Sequence, residues 1–63
     1  MMMKYRLYIL NSQERVADAR ERAYLNDHEA LAAAEAARRD NYAVEVWAGE
    51  RLVGRLGGEF LLG

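Results

Sequence analysis

The chain has no cysteine, one lysine, one histidine and one serine, and no apolar run near the roughly 20 residues that span a bilayer. Each scarcity removes a class of protein. Without cysteine there is no disulfide framework and no thiolate zinc site, so the usual staples of a small scaffold are missing. His28 stands alone beside Asp27 and Glu29, where a solvated role outweighs that of ligand or base, and no second histidine completes a transition-metal site. Ser12 lies among turn formers, with no Gly-x-Ser-x-Gly setting and no evident base. Gly54, Gly57 and Gly58 follow a strand-like run but open no helix, so no phosphate-cradling loop is present. Nothing assembles a nucleophile, a base and an oxyanion site; the expectation is a protein that is not an enzyme and takes no cofactor or metal.

Charge excludes further partners. The net charge is −1 and the pI about 5.7, which give no long-range attraction to phosphate or anionic lipid. Lys4 and Arg6 interrupt the opening MMMKYRLYIL, so it does not read as a secretory segment, and a cytoplasmic location without membrane contact is expected. Eight arginines and eleven alanines point to a GC-rich coding sequence before they point to a binding function. The 63 residues allow one small domain. A chain this short buries only about 60% of its unfolded surface, so self-association, in the simplest case a homodimer, is the expected substitute for the missing staples.

What is present is strand-like sequence around one helix. Tyr42 to Leu56 reads as a β-hairpin, with runs Ala43–Ala48 and Leu52–Leu56 around Gly49-Glu50-Arg51, where Gly49 supplies the positive φ of a tight turn. A three-residue loop pairs Ala48 with Leu52 and gathers Val44, Val46, Ala48, Leu52, Gly54 and Leu56 on one face. Glu45, Trp47, Val53 and Arg55 then share the other. Three methionines open the chain as a frayed end, and Lys4 to Leu10 alternates Tyr5, Leu7 and Ile9 against Arg6, Tyr8 and Leu10, as a central strand does. Asn11-Ser12-Gln13-Glu14 reverses the chain. Arg15 to Leu25 has helical propensity and also alternates; a strand is preferred, because a helix there would run unbroken into the next helix start and leave the first strand without a near partner. Asn26 with Glu29 resembles a capping box, so a helix runs to about Arg39, with Asn41 as a left-handed stop. Its inward stripe is Ala30, Leu31, Ala33, Ala34 and Ala37, with Leu31 the one large anchor.

The predicted fold is therefore α+β: a ββαββ domain over residues 1–56, with a four-stranded, mainly antiparallel sheet of order 2-1-3-4 and the helix on one face. Residues 57–63 read as a Gly-Gly hinge and an apolar tail that docks on this domain, docks on a partner, or stays loose. The uncovered face displays Arg6, Tyr8, Leu10, Trp47, Val53 and Arg55, with Tyr24 nearby. Tyrosine, tryptophan and arginine are enriched in interface hot spots, and such a patch is costly to leave in water. Gly57-Gly58-Glu59-Phe60 superficially resembles the Gly-Gly-[Asp/Glu]-Glu-Phe signature of diguanylate cyclases. One acidic residue is missing and the chain is far too short, so that reading is rejected.

The pieces YRLYIL, EALAAAEAA and VEVWAGERLVGRL together resemble a family of very short bacterial proteins, common in alphaproteobacteria, with a Tyr-Arg-x-Tyr-x-Leu opening and a Trp-x-Gly-x-Arg hairpin. The likeness runs from Tyr5 to Leu56, with Tyr8, Trp47, Gly49 and Arg51 at the matching positions. It implies two hairpins around one helix and a domain of unknown function, with no activity to transfer. Three uses follow. The first is a self-associating interaction or regulatory domain. The second is a small-ligand or single-stranded nucleic-acid module stacking on the aromatic face, against which the acidic balance counts. The third is an accessory subunit that completes a partner's sheet through an edge strand.

Overall fold

The computed structural model describes residues 1–58, and the apolar tail Phe60-Leu61-Leu62 lies outside them. The chain runs β1 (Met3–Leu10), β2 (Val16–Tyr24), α1 (Asp27–Arg38), β3 (Ala43–Ala48) and β4 (Arg51–Gly57). The four strands form one antiparallel sheet in the order β2-β1-β3-β4, with α1 on one face, as the residue pattern predicts. Arg15 to Leu25 contains a strand, because pairing with β1 along its whole length outweighs its helical propensity.

Alternation in β1 and β3 builds the core. Tyr5, Leu7 and Ile9 face α1 together with Val44 and Val46, all at 3% exposure or less. The helix contributes Ala30 and Ala34, both fully buried, so its axis comes close to the sheet. Leu31 is its large anchor, and Gly54 makes room for it: a Cβ at Gly54 would stand 2.9 Å from Leu31 Cδ2. Asn26 caps α1, its side chain accepting the Glu29 N–H at 2.9 Å. Asn41 is not a left-handed stop. It closes the helix by donating its side-chain amide to the Ala37 carbonyl at 2.8 Å, while its own N–H donates to Arg38.

The β3–β4 register departs from expectation in an instructive way. The turn is the two-residue Gly49-Glu50, which sets Ala48 opposite Arg51 and Trp47 opposite Leu52. A bulge then inserts Val53, and from there Val46 faces Gly54, Glu45 faces Arg55 and Val44 faces Leu56. One extra residue reverses the facing of everything beyond it, so the tight turn and the expected inner set Val44, Val46, Gly54 and Leu56 coexist. Leu52 and Val53 exchange their expected sides as a result. Met3 extends β1, and β4 ends at Gly57, whose φ is +78°. A Cβ at Gly57 would lie 2.6 Å from the Tyr42 carbonyl oxygen, so glycine is required there on two counts.

Candidate functional site

The sheet face away from α1 is built in rows set by register. One row carries Glu21, Arg6, Trp47 and Leu52 across the four strands; the next carries Ala19, Tyr8, Glu45 and Arg55. Lys4, Arg6, Tyr8, Val16, Glu21, Glu45 and Trp47 line an open groove of about 740 Å³ on this face. Tyr8 and Trp47 are half-buried, whereas Leu52 is 48% exposed and Val16 56%.

Most charges of the face are matched within it. Glu21 receives Arg6 at 3.1 Å and Lys4 at 3.8 Å. The Tyr8 phenol, and after it Glu21, push the Arg6 pKa above the ordinary guanidinium value, so this cation is held charged. The Trp47 indole N–H donates to Glu45 at 3.1 Å, which fixes the indole beside the groove. Arg55 reaches Glu45 at 3.4 Å and Glu14 at 2.6 Å. Glu14 belongs to the β1–β2 loop, where Asn11 accepts the N–H groups of Gln13 and Arg15 and Glu14 itself takes φ +64°. The loop is thereby brought to one end of the face. Arg55 holds the Glu14 carboxyl below the usual carboxylate range by hydrogen bonding.

Of the seven residues expected on the face, Arg6, Tyr8, Trp47 and Arg55 occupy it. Leu10 points to the same side but is only 6% exposed, at the end near the Glu14 loop, and offers no docking surface. Tyr24 does not join them. It pairs with Met3 on the helix side, and its ring packs against Tyr5 with centroids 6.0 Å apart. Val53 is turned onto the core by the bulge, and Leu52 takes its place beside Trp47. Leu52 and Glu21 escape a reading of strands one at a time, whereas Lys4 follows from the alternation of β1. Glu21 is assigned to Arg6 only by the β1–β2 register, and Leu52 reaches the face only through the bulge.

A second polar cluster lies on the opposite side, at the start of α1. The buried Tyr5 donates its hydroxyl to Asp27 at 2.7 Å, and Arg51 grips the same carboxylate through both terminal nitrogens at 3.0 and 3.2 Å. Arg51, and secondarily Tyr5, hold the Asp27 carboxyl below its ordinary pKa. The Tyr5 phenol is pushed up, chiefly by the same hydrogen bond and then by burial. These three residues tie β1, α1 and β4 together, and every one of them has a partner within the fold. His28 is exposed, and among the described residues no group of three or more His, Asp or Glu is placed to hold a metal ion.

Fold and face together define a small α+β domain with a single-layer sheet, one side packed under a helix and the other presenting an aromatic groove rimmed by ion pairs. Compared with protein-family models, curated proteins and solved structures, the chain matches none. Among the described residues no helix is long and apolar enough to cross a membrane.

Proposed function

We propose that this protein is a non-enzymatic interaction domain that docks a second copy of itself on the open sheet face. Tyr8, Trp47 and Leu52 form the apolar centre of that contact, and the Arg6–Glu21 and Glu45–Arg55 pairs form its rim. The observation that carries this reading is the internal pairing of the face's cations around an uncovered aromatic centre. A surface built to hold nucleic-acid phosphates would leave its guanidinium groups to the ligand. Here the guanidinium groups of Arg6 and Arg55 already lie on carboxylates. The resemblance to very short alphaproteobacterial-type proteins adds no competing activity.

The test is solution mass by light scattering at micromolar concentration, repeated on Trp47→Ala with circular dichroism to confirm folding. A parent assembly that loses mass in a folded variant supports the reading, because Trp47 sits at the centre of the face. A parent that is strictly monomeric sinks it. The groove then belongs to a flat small ligand, which its volume and the Trp47–Tyr8 lining admit, and quenching of Trp47 fluorescence on titration is the readout.

A further inference from the structure

β2 is one of the two edge strands of the sheet, nine residues long, and only its last residue, Tyr24, is even partly buried. Its outer edge carries main-chain groups that no strand among the described residues reaches. Ala19 N–H is taken by the neighbouring Asp18 carboxylate at 2.9 Å, and the Glu21 carbonyl by the Arg22 guanidinium at 2.9 Å. Both bonds are exposed and local, and a partner strand's backbone would replace them. They also show that Ala19 and Glu21 aim main-chain groups outward. Edge strands are commonly blunted by proline, by a bulge, or by charged side chains, which repel a partner strand where like charge meets like. The chain has no proline. The one bulge leaves out Ala17, at the start of the strand, and the charges from Asp18 to Arg22 alternate in sign.

We infer that β2 is a self-recognition edge, pairing antiparallel with β2 of a second copy about a twofold axis at Ala19. The register follows from charge. A twofold axis through the sheet sets each residue opposite a same-face residue of the other copy. Centring it at Asp18, Arg20 or Glu21 sets that charge against itself, and the Glu21 choice also sets Arg20 against Arg22. Centring it at Ala19 sets Ala19 against Ala19 and Asp18 against Arg20 twice, and the bulge at Ala17 ends the regular pairing on either side. No like charges meet directly. With Ala19 facing outward, the Ala19–Ala19 pair exchanges both of its N–H···O bonds. Asp18 and Arg20, which pair with each other within one strand at 3.1 Å, then fall at the non-hydrogen-bonded positions, where opposing side chains lie closest, so the bond within the chain is exchanged for two across the contact. The product is a continuous eight-stranded sheet with both helices on one side and both open faces on the other. This contact uses a different surface from the open-face contact and does not depend on it.

The sign pattern supplies a test that separates contact between chains from contact within a chain. Asp18→Arg copies present cations to each other at both positions, and Arg20→Asp copies present anions, so each variant alone should self-associate roughly tenfold or more weakly than the parent. An equimolar mixture of the two restores opposite charge at both pairs only across the two chains, and should recover association to within about threefold of the parent. Circular dichroism on each variant confirms folding. Singles that associate like the parent, or a mixture no tighter than the singles, overturn the proposal. A second readout needs no variant: amide exchange at Ala19 of the parent should slow as protein concentration rises. Exchange unchanged with concentration overturns pairing with a second copy and leaves the edge to a strand of another protein. Repeating the mixture on a Trp47→Ala background distinguishes the two surfaces, since edge pairing survives loss of the open-face contact.

Discussion

β2 and β3 both flank β1, both pair with it antiparallel, and could hardly be more different in burial. β2 is the longer, at nine residues against six, yet only Tyr24 at its end is partly covered, while Ala43, Val44 and Val46 of β3 are fully buried. Backbone pairing alone therefore does not make a strand part of the core. The difference is the helix: α1 lies mainly over β3 and β4 and touches β2 only lightly. Strand β3 is structural, and β2 is free to present its edge. Composition follows the same division, with β3 reading AVEVWA and β2 carrying the charged residues Asp18, Arg20, Glu21 and Arg22 in VADARERAY.

If that division is right, substitutions in the two strands should differ sharply. Val44→Ala removes two methyl groups from a fully buried site and should lower unfolding free energy by about 2 kcal/mol in a urea titration. In a domain of this size that is a large share of the total stability. Asp27→Asn probes the clamp that holds the helix over its side of the sheet. The Asp27 carboxyl is depressed in the folded state, so its contribution is complete above the ordinary carboxylate pKa near ~4 and is lost as pH falls through the lower folded value. Parent stability should therefore fall on the acid side, and Asp27→Asn should flatten part of that fall; Glu14, depressed in the same direction, accounts for a remainder. An acid limb of equal depth in both proteins would remove the clamp from the account. The smallest effect belongs to β2. Ala23→Ser, exposed and beyond the residues that pair across the proposed edge contact, should change stability by no more than about 0.5 kcal/mol. A loss there comparable to that of Val44→Ala would mean that β2 is packed as tightly as β3.

Much of this is legible in the sequence alone. Alternation in KYRLYIL separates Tyr5, Leu7 and Ile9 from Arg6 and Tyr8, because strand geometry sends successive side chains to opposite faces. Asn26 marks the helix start through the chemistry of its side chain. Half-legible was the hairpin: its two runs and the role of Gly49 follow from composition, but the choice between a three-residue loop and a two-residue turn with a bulge depends on what each arrangement buries. Val53 fits the core under α1, and Leu52 is left beside Trp47. Tyr24 illustrates the same limit. Alternation within β2 cannot say which of its sides faces the helix until Met3 is known to lie opposite.

By itself, then, the sequence determined the element order, the cap, and the inner residues of β1 and β3. These rest on local rules: period-two alternation, capping chemistry and residue inventory. Only the tertiary structure decided that Arg51 and Tyr5 share Asp27, that Glu14 and Arg55 meet across 41 residues, and that β2 stands at one edge of the sheet. Each of those depends on the register between strands distant in sequence and on where the helix settles, and both are set by the burial of the whole sheet.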